Sequence, residues 1–149
     1  MNRLAITAAM LTLAVSVPAR SADIHITRAH IDLVYDRQRD DCNLPVSDAT
    51  DEMAATLKEA SVAIEPQALD DVPWYQLQIL SFPIRDSCII TYSLKLMVPG
   101  MVKPPEGKGT TRGATEYCDQ VATYSINTFI IKRQFRPQVR AMMNACLKY

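Results

Sequence analysis

The side chains with the most chemistry in this chain are four cysteines, Cys42, Cys88, Cys118 and Cys146, and two histidines, His25 and His30. A zinc knuckle or a thioredoxin-type redox pair needs two cysteines within a few residues, because one loop must aim both sulfurs at a single atom. These cysteines are widely dispersed, with no C-x-x-C. Disulfide formation is the chemistry left to them. A thiol nucleophile activated by histidine is disfavoured, since a compartment that preserves disulfides does not keep such a thiol reduced. His30 and Asp32 are two residues apart, so on a strand they share a face and could begin a general-base or metal site. His25, five residues from His30, falls on the other face unless a bulge intervenes. No third ligand accompanies them, so neither a metal nor a cofactor is expected.

Other motifs fail on spacing. The run 106–111, Glu-Gly-Lys-Gly-Thr-Thr, looks like a phosphate loop, but Gly109 follows Lys108 where Ser or Thr is required, and no glycine stands five residues before Gly107. No G-x-S-x-G or H-E-x-x-H occurs. What remains is a set of residues suited to contact: Trp74, the only tryptophan; Lys103, Lys108 and Arg112 in a glycine- and proline-rich segment; and Lys132, Arg133 and Arg136, with Arg140 beyond them, near the C-terminus. Those last cations sit at the start of an expected helix, the end whose dipole repels them, and so need another reason. Pairing within the fold is preferred to an anionic partner.

The setting for these residues is an exported domain. Arg3 precedes an uncharged run, 4–17, that as a helix would span only about 21 Å, short of a bilayer core. Small residues around Pro18, Ala19, Ser21 and Ala22 suit cleavage, so 1–22 is expected to be a secretory signal peptide and 23–149 one mature domain. No cysteine lies near the cleavage point to accept lipid, so a soluble periplasmic or secreted product is expected, without a transmembrane anchor. Charge is uneven: 23–71 carries twelve acidic against four basic residues, and 72–149 four against ten. Two halves that attract on folding explain this better than two charged faces. Nothing is basic enough to suggest nucleic acid.

Hydropathy patterning supplies the elements. Ala29, Ile31, Leu33 and Tyr35 alternate on a half-buried strand, and Ala49, Met53, Leu57 and Ala60 stripe a helix over 48–60 capped by Ser47 or Asp48. Residues 61–73 form a connection with room for a short extension at 62–64. Tyr75, Leu77 and Ile79 alternate, and after a turn at 82–86 so do Cys88, Ile90, Tyr92, Leu94, Leu96 and Val98, which predicts a hairpin. Residues 99–114 hold all four glycines and read as a flexible loop. The β-branched content of 116–131 favours a strand over a helix, and Pro137 suits the first position of a final helix striped by Val139, Met142, Met143, Cys146 and Leu147. The prediction is β-α-β-β-β-α: an α+β two-layer sandwich with two helices on one face of a mostly antiparallel four-stranded sheet.

Four cysteines allow three pairings, and the topology chooses among them. If the first strand runs upward, Cys42 and Cys88 both fall at the top and Cys118 and Cys146 at the bottom, which predicts Cys42–Cys88 and Cys118–Cys146. The expected function is that of an exported binding or interaction protein of the bacterial envelope, of the assembly-subunit, inhibitor or immunity type. Its partner would be a protein or an anionic envelope component, met through Trp74, the 99–114 segment and the basic cluster. The alternative is a small periplasmic hydrolase using His30 and Asp32.

Overall fold

The computed structural model describes residues 25–35, 42–102, 111–127 and 130–148. The expected signal peptide, the polar run 36–41 and the 103–110 segment with Lys103, Lys108 and the phosphate-loop lookalike lie outside them. The elements are β1 (Arg28–Tyr35), α1 (Val46–Glu59), β2 (Ala63–Glu65), β3 (Trp74–Ile84), β4 (Ser87–Val102), β5 (Thr111–Asn127) and α2 (Ile131–Cys146).

The strands form one five-stranded sheet in the order β2-β1-β3-β4-β5. β1 runs parallel to both of its neighbours, and only β3–β4 and β4–β5 are antiparallel. The expected four-stranded, mostly antiparallel sheet is therefore corrected to five strands of mixed direction. Two physical causes operate. The helix α1 returns the chain along the length of β1, so the next long strand must leave in the same direction as β1 and pairs with it from His30↔Trp74 to Tyr35↔Ile79. The short connection after α1 then touches the far edge of β1, where the Ala63 amide donates to the Thr27 carbonyl at 2.9 Å. Three residues suffice for a strand there because β1 is already in place as a template. A three-residue run has no periodicity of its own.

The 99–114 segment also differs from expectation. The β4–β5 ladder continues through Pro99↔Ala114, Gly100↔Gly113 and Met101↔Arg112 to Val102↔Thr111, with a bulge at Leu96/Met97 that places Tyr117 as the extra residue. Proline and glycine are tolerated in this outer part of a long two-stranded ribbon. The last helix starts at Ile131, six residues before Pro137, which lies inside it. Its start is set by burial, since Ile131 and Phe135 extend the Val139 stripe by two four-residue steps and are both buried. Neither Ser47 nor Asp48 caps α1, which begins after Pro45 without a side-chain cap.

The two helices cover one face of the sheet, as predicted. Beneath them Tyr75, Leu77 and Ile79 of β3 and Ile90, Tyr92, Leu94 and Leu96 of β4 meet Met53 and Leu57 of α1 and Phe135 and Met143 of α2. Both disulfides form as expected, Cys42–Cys88 and Cys118–Cys146, with Cα separations of 6.0 and 5.5 Å. Cys118 is not at the start of its strand, because β5 begins seven residues earlier, yet the descending α2 still ends beside it.

Tyr92 is fully buried, edge-on to Tyr124 and 5.7 Å from the Phe135 ring centroid. Its hydroxyl has no hydrogen-bond partner among the described residues, and desolvation drives its pKa far above the usual phenol value. Burial alone pushes Tyr75 up to about 12. A buried unsatisfied hydroxyl costs about 1–3 kcal/mol. Tyr92→Phe is accordingly expected to raise unfolding stability by about 1 kcal/mol in a urea titration. A loss of stability would show that the hydroxyl is bonded.

Candidate functional site

Among the described residues nothing covers the sheet face opposite the helices, and strand alternation decides what it shows. Positions that alternate with the core residues carry His30 and Asp32 on β1, Trp74, Gln76 and Gln78 on β3, and Ile89, Thr91 and Lys95 on β4. This face has two zones. At the β3–β4 turn, Leu80, Phe82 and Ile84 stay 44–59% exposed, and Val34 and Val121 add to the exposed apolar surface. Runs of apolar residues left in water on one sheet face mark contact surfaces more often than isolated ones do. The turn itself is a two-residue loop, with Arg85 at a φ of 52°.

At the other end lies a groove of about 650 Å³ between the β2–β3 connection and the base of the β4–β5 ribbon. Its floor is His30, Asp32, Trp74 and Gln76, and Leu69, Asp70 and Arg112 stand at its rim. The His30 ring donates through Nδ1 to the Glu65 carbonyl at 3.0 Å, which fixes the ring and leaves Nε2 as the other ring nitrogen. Gln76 Nε2 donates to an Asp32 oxygen at 2.8 Å. At the rim Arg112 pairs with Asp70 at 3.5 Å, both side chains at least 85% exposed. Arg28 meets Asp71 at 2.7 Å and Glu65 at 3.9 Å. Such exposed pairs hold little energy and can be exchanged for a partner's groups.

The structure thus divides the residues singled out from sequence. Trp74 and Arg112 meet at the groove, together with His30 and Asp32. Lys132, Arg133 and Arg136 sit on the helical side, next to the opposite end of β5 from Arg112, about 50 Å away along the strand. Within the cluster, Arg136 donates to Asp48 at 3.0 Å, and Arg140 contacts both Glu52 and Glu59. The hydrogen bond from Arg136, aided by the charges of Arg136 and Lys132, holds the Asp48 carboxyl below the usual range. The same bond raises the pKa of Arg136, and the bond to Glu52 raises that of Arg140. The acidic first half and basic second half therefore clasp each other across the two helices. Lys132 and Arg133 are exposed, with no hydrogen-bonded ion pair among the described residues.

Sequence reasoning missed Gln76 and Asp70 at the groove and the apolar hairpin tip. The tip carried a legible signal, since Leu80, Phe82 and Ile84 continue the outward parity of Trp74, Gln76 and Gln78. Among the described residues no group of three His, Cys, Asp or Glu side chains could hold a metal ion, and no helix is long and apolar enough to cross a membrane.

No protein-family model matches the sequence, and no curated protein matches it. Solved structures show a remote likeness. A minor lipoprotein from Acinetobacter baumannii superposes over 84% of this chain and 90% of its own, with 8% identity and a TM-score of 0.42. The rare lipoprotein B from Shewanella oneidensis does so over 80% and 91%, with 12% identity and a TM-score of 0.32. Identities and scores this low carry no functional information.

Proposed function

We propose that this chain is an exported binding protein whose open sheet face, from the Trp74 groove to the Phe82 hairpin tip, docks a partner protein of the bacterial envelope. The observation that carries the reading is the one-sided architecture: both helices cover the same face, and the other presents an aromatic-floored groove and an exposed apolar tip about 27 Å apart along β3. An oxidising, extracytoplasmic location is supported by the two disulfides and by the signal-peptide character of residues 1–22.

The chemistry of the groove favours a protein over an anionic component. Among the described residues Asp32, Glu65, Asp70 and Asp71 outnumber Arg28 and Arg112 around it, so these residues give an anion no net attraction. Hydrolysis by His30 and Asp32 has their shared place in the groove in its favour. Against it, no hydrogen bond joins the two among the described residues, and Asp32 is engaged by Gln76.

Site-specific photo-crosslinking in cells tests the reading. A crosslinker replacing Phe82 and one replacing Trp74 are each expected to trap the same partner, as adducts of equal mass, and one replacing Arg133 on the helical side to trap none of it. Adducts formed equally from Arg133, or absent from both outer-face positions, would sink the proposal.

A further inference from the structure

The sheet ends on one side at β5, a strand of seventeen residues with no further strand beside its outer edge among the described residues; at its end the Asn127 carbonyl accepts from the Ile130 amide at 3.1 Å. The opposite edge, β2, is three residues long and so offers little to pair with. Long exposed edges are normally blunted by lysine, proline or a bulge, because a row of free N–H and C=O groups recruits any extended chain. Over 120–127 β5 has none of these: no charged residue, no proline, no glycine. The bulge opposite Leu96/Met97 lies before this stretch.

We propose that this edge is a homodimer interface, in which 120–126 pairs antiparallel with the same segment of a second copy about a two-fold axis through Thr123. The two sheets then join into one of ten strands. An antiparallel pair of identical strands is self-complementary only if the residues brought opposite each other agree in charge and face. With the axis at Thr123, Gln120 faces Ile126, Val121 faces Ser125, and Ala122 faces Tyr124 of the second copy, so no like charges meet. Moving the axis toward the start of β5 brings Glu116 and Asp119 of the two copies together. Moving it toward Asn127 shortens the ladder.

Two further observations favour a second copy. Thr123 is exposed on the outer face, where its hydroxyl already lies 3.1 Å from that of Thr91, and cross-strand threonine pairs are favourable. The flank of α2 turned away from α1 carries Gln134, Gln138, Ala141 and Ala145 and is also free of charge, whereas Arg136 and Arg140 face α1. Strand edge and helix flank are thus uncharged on the same side of the molecule, as the centre of an interface requires.

Sedimentation equilibrium on the disulfide-intact protein tests this. The expected result is a dimer at about 100 μM that dissociates on dilution, since one strand pair is a small interface. Thr123→Lys places two like charges on the axis and should weaken association about tenfold or more while leaving circular dichroism and the thermal midpoint unchanged. Mixing Thr123→Lys with Thr123→Glu should restore the dimer. A wild-type protein that stays monomeric at that concentration, a dimer indifferent to Thr123→Lys, or a mixture that fails to associate would each overturn the pairing.

Discussion

Reducing both disulfides is expected to cost this domain most of its stability. Cys42–Cys88 closes a loop of 46 residues and Cys118–Cys146 one of 28. In chain-entropy terms these contribute about 4 and about 3.5 kcal/mol, against a total of about 5–15 kcal/mol for a typical domain. The first bridge ties the segment before α1 to the start of β4, and the second ties the end of α2 to β5. Urea unfolding of the Cys42→Ser/Cys88→Ser and Cys118→Ser/Cys146→Ser pairs should show losses close to those values, and the protein lacking all four cysteines should be largely unfolded at 37 °C. A fully reduced protein within about 1 kcal/mol of the oxidised one would contradict the assignment of stability to the bridges.

The second large effect is expected at Phe135. Its side chain is fully buried against Tyr92, and it anchors a helix that has little support of its own. α2 begins without a side-chain cap, has basic residues and no acidic one in its first turn, and contains Pro137. Each of these disfavours an isolated helix. Its formation therefore depends on burying its apolar stripe, and Phe135→Ala should cost about 3–5 kcal/mol with a visible loss of helical dichroism. Phe135→Leu, which keeps most of the volume, should cost less than about 1.5 kcal/mol. A loss below about 1 kcal/mol for the alanine variant would mean that α2 is held mainly by Cys118–Cys146.

How far the fold was legible depended on whether a residue's role was set by its near neighbours. The alternation of Tyr75, Leu77, Ile79, Ile90, Tyr92 and Leu94 placed the β3–β4 hairpin, and the Ala49, Met53, Leu57 stripe placed α1 to within two residues at its start. Both patterns arise from one apolar face meeting one core, so the period survives in the sequence. The start of α2 was misplaced because Pro137 is a strong local signal for a first turn, and the burial of Ile131 and Phe135 outweighed it. The glycines and prolines of 99–114 likewise suggested a loop, yet pairing with the opposite strand holds both flanks extended.

The candidate site was legible only in pieces. His30 and Asp32 were placed on one face by their spacing, and Trp74 on the same parity as Gln76. Nothing local, however, could say that β1 and β3 would be parallel neighbours, with His30 beside Trp74 and Asp32 beside Gln76. That adjacency builds the floor of the groove. The basic cluster shows the converse: its pairing with acidic residues was expected from the charge imbalance, but the partners Asp48, Glu52 and Glu59 lie more than eighty residues away in the chain.

Composition and pattern thus determined by themselves that this is a stapled α+β domain with two helices on one face, and which cysteines join, because both follow from alternation and from the direction in which successive elements run. Only the tertiary structure decided that β1 pairs with β3, the fifth strand, the shared groove of Trp74 and Arg112, and their separation from Lys132, Arg133 and Arg136. Those outcomes are contacts between segments remote in sequence, selected by the free energy of packing the whole core, and no window of neighbouring residues encodes them.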